Sequence, residues 1–260
     1  RLDLLKRLLR KHGPTEEEAL DRLKAMEEEL AGIDGWEDRC AELRSELLTA
    51  ERRLEEKARD LSVVREKSRQ AFARPLVAIL RDFSLPKVRF EVSLTPVRQG
   101  FTAGSGLLLG PDGAEDVEFL FSANPGEPLQ PLRRIASGGE LSRIMLALRT
   151  MGAPITGGPL LVFDEVDAGI SGAAARSVAE RLAALGRNNQ ILAVTHNATV
   201  AAAADQHLLV EKRTIADRTI TSARTLQGLQ REQELARLLD GGKRSEKSMA
   251  LAAELLSATA

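Results

Sequence analysis

Apolar residues along the first 75 positions recur at helical spacing. Ala19, Leu23, Met26, Leu30 and Ile33 step by four and three, as do Trp36, Cys40, Leu43, Leu47, Ala50 and Leu54. The series runs on through Lys57, Leu61, Val64, Ser68 and Ala71, with two polar interruptions. Steps averaging about 3.5 residues describe a coiled-coil seam. Gly32 and Gly35 lie where the two registers fail to join and predict a local break. Thr15 and Glu18 have capping-box spacing. Gly13-Pro14 separates this stretch from a short helix with Leu2, Leu5, Leu8 and Leu9, and reads as the tip of a hairpin. A continuous helix over 16–83 would span about 100 Å. The short helix could cover only one end of it, so the seam calls for a partner strand absent from this chain. A freestanding homodimeric coiled coil is the alternative.

Beyond Pro75 the pattern changes. Lys87–Thr95 and Asp116–Ser122 alternate as half-buried strands do, and the glycine-rich 100–113 reads as a loop or loose hairpin. Leu160–Phe163 and Gln190–Thr195 are apolar runs suited to central strands of a parallel sheet. Helical patterns follow at 137–151, 172–186, 230–239 and 246–257, and His207–Lys212 and Thr219–Leu226 read as closing strands. The fold class is α/β with a long helical segment ahead of it. The expected organisation is a coiled-coil arm over 1–75, with its tip near 12–15 and its helix running to about 83, and a globular unit over 76–260.

Composition sharpens this division. Of the 75 charged residues, 35 fall in the first 75 positions. That stretch is too polar to build a core alone, and the remaining 185 residues are enough for one. A net charge of −1 excludes a histone-like protein that holds nucleic acid by charge alone. No run approaches the ~18 apolar residues of a membrane helix, and no secretion signal is visible. The lone Cys40 cannot form an internal disulfide, and in the seam it reads as a small packing residue. A soluble, intracellular protein is expected.

Four clusters carry candidate chemistry. Ser137-Gly138-Gly139-Glu140 opens a helix. It fits an ordinary capping box, and it equally fits an anion site in which two glycines let a phosphate approach backbone amides at a helix N-terminus. Asp164-Glu165 ends an apolar strand. Such a pair suits a nucleotide hydrolase, with the aspartate on magnesium through its water shell and the glutamate polarising water. Asp167 follows in a glycine-punctuated loop that alone is only a turn. His196 follows the strand Ile191–Thr195 at its C-terminal end, where open α/β sheets bind ligands.

Taken in order, these clusters resemble the C-terminal lobe of an ABC-type ATPase head, and with the coiled coil an SMC-like one. Phe119–Pro128, Ala136–Leu148, Phe163–Gly172 and Val194-Thr195-His196 resemble the RecN family of bacterial DNA repair proteins. The resemblance implies a C-terminal head lobe preceded by a long antiparallel coiled-coil arm. It implies a signature motif at Ser137, Gly138, Gly139 and Glu140 that contacts ATP on another head. Asp164 would then be the Walker B magnesium residue, Glu165 the catalytic base, and His196 the switch histidine. Asp167 would sit in the loop between heads. Ala136 stands where transporters usually have leucine, and Asn197-Ala198-Thr199 departs from the usual Leu-Pro-Gln, which puts the local loop conformation in question.

No Gly-x-x-x-x-Gly-Lys-Ser/Thr occurs in the sequence. The expectation is therefore a C-terminal portion that cannot hydrolyse ATP unaided. ATP and Mg2+ would require an N-terminal Walker A lobe and a second, ATP-dependent homodimeric head. DNA contact would be to backbone phosphates, supported by basic residues over 1–14 and at Lys243, Arg244 and Lys247; aromatic stacking is not expected from a chain without tyrosine. A cytoplasmic, nucleoid-associated location and no membrane partner follow from the resemblance. Three other classes fit less well: another SMC-family chromosome protein, a scaffold with a non-hydrolysing head, and a transporter's nucleotide-binding subunit.

Overall fold

The structure is a computed structural model that describes residues 1–135, 137–152, 160–215 and 218–259. It divides into two units. One comprises Arg1–Val64 with Pro96–Asp116, the other Arg65–Thr95 with Val117–Ala260.

The first unit contains α1 (Leu2–His12) and most of α2 (Glu16–Asp82). Thr15 caps α2, its Oγ1 accepting from the Glu18 N–H at 3.3 Å. The break expected at Gly32–Gly35 is absent, and α2 is one helix of 67 residues. Each glycine costs about 1 kcal/mol relative to alanine. Stopping there would forfeit a propagating helix and require a second nucleation, which is the larger penalty. The seam is bare among the described residues: Leu23, Leu30, Cys40, Leu47, Leu54 and Val64 are exposed, and α1 buries none of its leucines.

The glycine-rich segment does form a hairpin. β2 (Phe101–Thr102) pairs antiparallel with β3 (Leu108–Leu109), Phe101 facing Leu109. It docks on the flank of α2, where Ala103 and Leu109 bury Ala58. The Glu55 carboxylate accepts the Ser105 N–H at 3.1 Å.

In the second unit, α2 passes through Pro75, although an interior proline costs about 3 kcal/mol. Leu76, Leu80 and Phe83 are completely buried just beyond it. At about 1.5–3 kcal/mol each, they outweigh that cost. Past the helix end at Asp82, Ser84 (φ 62°) turns the chain, with the Leu85 N–H returning to the Leu80 carbonyl at 3.2 Å.

β1 (Arg89–Pro96), β4 (Glu115–Ser122) and β5 (Gln130–Pro131) form a sheet in the order β1-β4-β5. Phe72 of α2 stacks on Phe119 of β4 at 5.6 Å between ring centroids. α3 (Gly138–Met151), β6 (Leu161–Phe163), α4 (Gly172–Gly186) and β7 (Ile191–Ala193) complete this core. β6 and β7 pair in parallel, Leu161 with Ile191 and Phe163 with Ala193. Their inward residues join the core while Val162, Leu192 and Val194 stay exposed. They were expected as central strands, yet among the described residues each has one strand neighbour.

α5 (Ala198–Ala202), α6 (Leu229–Leu239) and α7 (Glu246–Thr259) share a smaller core around Leu235, Ala236 and Ala252. β8 (His207–Ile215) and β9 (Arg218–Leu226) form a long antiparallel ribbon. No helix of the described residues is long and apolar enough to cross a membrane.

Candidate functional site

Ser137 is the N-cap of α3, and its Oγ accepts the Glu140 N–H at 3.4 Å. Glu140 therefore stands in the first helical turn. Ala136 lies outside the described residues. Close approach requires glycine at 139, whereas Gly138 faces a side-chain end that can move. A Cβ on Gly138 would lie 2.7 Å from Glu165 Oε2. A Cβ on Gly139 would lie 2.9 Å from Ala168 Cβ and 3.0 Å from the Glu165 carbonyl oxygen. The Ser137–Gly139 turn thus packs against the acidic turn of the same chain, and the Glu165 carboxylate rests beside the α3 N-terminus, where the helix dipole favours an anion.

β6 ends at Phe163, and the chain turns at once. Glu165 adopts φ 55°, the left-handed region, and the Ala168 N–H closes the turn on its carbonyl at 3.0 Å. Asp164 and Glu165 are both exposed. Two residues of α3 fasten this turn. Ser142 Oγ donates to the Asp164 carbonyl at 2.5 Å, and Arg143 Nη1 donates to the Ala168 carbonyl at 2.8 Å. Arg143 is buried, and burial lowers its pKa against the opposing pull of Glu140 and Asp167.

Asp167 is only 1% exposed. Its Oδ2 accepts from Thr195 Oγ1 at 2.5 Å, from the His196 N–H at 3.1 Å and from the Asn197 N–H at 3.0 Å. The His196 ring is largely exposed, with Nδ1 3.5 Å from the same oxygen. Asn197 then caps α5, its Oδ1 accepting the Thr199 N–H at 3.0 Å. The departure from Leu-Pro-Gln therefore leaves a well-fastened loop.

The four sequence clusters converge on one face of α3 and the C-terminal ends of β6 and β7. Sequence reasoning missed Ser142, Arg143, Thr195 and Asn197. Arg143 carried a signal, since it falls four residues from both Gly139 and Ala147 on the apolar face of α3. For magnesium the chain offers Asp164, whose exposed carboxylate accepts no hydrogen bond among the described residues. No three His, Cys, Asp or Glu side chains gather as a metal site among them. A single carboxylate fits an ion held chiefly by phosphates and water.

A 67-residue helix and a mixed helix-and-sheet lobe make up the fold of an SMC head domain with a coiled-coil arm. An Smc head domain with a coiled coil and joint from Pyrococcus yayanosii has this fold, with a TM-score of 0.54 at 14% identity over 88% of this chain and 40% of that one. No protein-family model matches the chain. It is 40% identical to the DNA repair protein RecN of Deinococcus radiodurans over 257 residues, 99% of this chain and 43% of that protein. It is 39% identical to the DNA repair protein RecN of Treponema pallidum, over all of this chain and 45% of that protein. The chain belongs to the RecN family and corresponds to a C-terminal portion, spanning less than half the length of these relatives.

Proposed function

We propose that this chain is the C-terminal head lobe of an SMC-like DNA repair ATPase and supplies the signature motif, Walker B residues and switch histidine of a composite ATP site. The observation that carries this reading is the packing of Gly138 and Gly139 against the Asp164–Ala168 turn, which is tied through Asp167 to the His196 loop. Motifs separated by up to 59 positions in sequence become one polar surface.

Ser137, Gly138 and Gly139 present backbone amides to the γ-phosphate of ATP held on another head. Glu165 rests where that anion arrives, so the phosphate displaces its carboxylate from the signature turn. Glu165 then orients water for attack on the ATP of its own head, and His196 lies beside the γ-phosphate. Asp164 would hold magnesium, which when bound neutralises charge on the β- and γ-phosphates. Closure of two heads excludes other water, and hydrolysis lets them part. The phosphate loop belongs to an N-terminal lobe, so this chain alone is expected to be inactive. The arm converts the cycle into clamping or bridging of DNA through backbone phosphates in double-strand break repair and recombination, at the nucleoid in the cytoplasm.

The test is Mg-ATP turnover of this chain co-expressed with its N-terminal lobe, with DNA present. Glu165→Gln is expected to lower kcat by about 10²–10⁴-fold while ATP-driven head pairing persists. A folded wild-type complex without turnover refutes the enzyme and makes the scaffold the better account.

A further inference from the structure

Asp167 does more than occupy a loop between heads. We propose that it is a positioning residue that locks the His196 loop to the Glu165 turn within one chain, so that histidine and base move as a unit; this rests on the proposed ATPase reading.

Its burial excludes the carboxylate from any surface: at 1% exposure it faces its own chain's interior. One oxygen gathers two consecutive backbone N–H groups, His196 and Asn197, together with the Thr195 hydroxyl. Two adjacent amides converge on one acceptor only when the backbone curls around it, so the carboxylate sets the path by which the chain leaves β7. Charge-assisted bonds of this kind are roughly twice as strong as neutral ones.

The same residue belongs to the tight turn that carries Glu165. Its backbone carbonyl accepts the Ile170 N–H at 3.2 Å, two residues after Glu165 closes onto Ala168. Asn197 reaches back across the junction, with Nδ2 3.5 Å from the Ile170 carbonyl. The two loops are stitched in both directions.

The charges around Asp167 fit this role. Arg143 of α3 supplies the buried cation, attracted to it from the side of the signature turn. The His196 imidazole approaches from the exposed side, Nδ1 at 3.5 Å from Oδ2. Oδ1 is buried and has no hydrogen-bond partner among the described residues. A shift of the imidazole toward the carboxylate thus finds an acceptor already desolvated. Asp167 stands between the helix α3, the Glu165 turn and His196.

The test uses the full-length protein with Asp167→Ala and Asp167→Asn. Backbone hydrogen exchange reads the loop, and steady-state ATP hydrolysis reads its consequence. In Asp167→Ala the His196 and Asn197 amides are expected to exchange at least about tenfold faster, with α4 amides unchanged. Its kcat should fall about tenfold or more with KM within about threefold. Asp167→Asn keeps one acceptor oxygen and should restore amide protection with part of the kcat. Combined with His196→Ala, Asp167→Ala should add little further loss, because both remove the same positioned imidazole. Unchanged amide exchange in folded Asp167→Ala, or a loss fully additive to that of His196→Ala, overturns the proposal. If Asp167→Ala does not fold, Thr195→Val, which removes one of the three bonds to the carboxylate, decides it: unchanged exchange of the His196 and Asn197 amides in that variant overturns the proposal. A folded wild type without turnover sinks the ATPase reading instead, and the exchange measurement still judges Asp167.

Discussion

Substituting Gly138 and Gly139 separately distinguishes packing from chemistry. Alanine at 139 places a methyl 2.9 Å from Ala168 Cβ and 3.0 Å from the Glu165 carbonyl oxygen. Neither neighbour can swing aside, because the first is fixed to the turn and the second is the turn's own backbone. Carbon contacts are comfortable at about 3.5–4.0 Å, so α3 and the turn must part by several tenths of an ångström. Overpacking of this kind costs about 1–3 kcal/mol, and the helix-propensity gain is at most about 1 kcal/mol. A net loss of about 1–2 kcal/mol follows. Alanine at 138 meets the Glu165 carboxyl, with Oε2 at 2.7 Å, the far end of an exposed side chain that rotates away. Its stability should stay within about 0.5 kcal/mol. Native-state hydrogen exchange at Val178 and Ala179, buried in α4, measures both. Gly139→Ala should speed exchange about 5–30-fold, and Gly138→Ala by no more than about twofold. Equal effects, or slower exchange in Gly139→Ala, would refute the close packing of α3 on the acidic turn.

Two other outcomes follow from hydrogen bonds. The Ser105 side chain and then its backbone N–H hold the Glu55 carboxyl below the usual glutamate range. A depressed folded-state pKa adds stability above the unfolded value, near 4.5, that is lost as pH falls through the folded one. Protection of the Ser105 amide, corrected for intrinsic exchange, should therefore decline on acidification below that range, and Glu55→Gln should flatten the profile. Asn197→Ala removes the cap of α5 and should cost about 1 kcal/mol, read as faster exchange of the Thr199 amide with α7 unaffected.

The arm was legible because helical periodicity is local and repeated, and α2 follows the predicted seam from Ala19 to Ala71. Its passage through Gly32, Gly35 and Pro75 was not, because local propensity misses what cooperative propagation and the burial of Leu76, Leu80 and Phe83 add. The longer strands were legible to within a few residues, while the two-residue β5 left no alternation to read. The docking of the 101–109 hairpin on Ala58 was not, since it joins segments about 45 positions apart and the glycines there signal only turns. At the site, Ser137, Glu165 and His196 stood out by residue type and place. Asp167 also stood out, but its burial could not be read from a glycine-punctuated loop, where aspartates usually face water. Short α5 escaped because five residues hold no periodicity, although Asn197 before an alanine-rich run marked its start.

The left-handed backbone at Glu165 bears on how this position is inherited. A glutamate held at φ 55° gives up about 1–2 kcal/mol that a glycine there would recover. Selection for stability alone would drift toward glycine or asparagine, and a laboratory screen for thermostable variants would enrich those substitutions first. If Glu165 is the proposed base, a demand made on the carboxylate itself keeps glutamate there, and glutamate at this turn in a newly found sequence would signal a head still under selection for its chemistry.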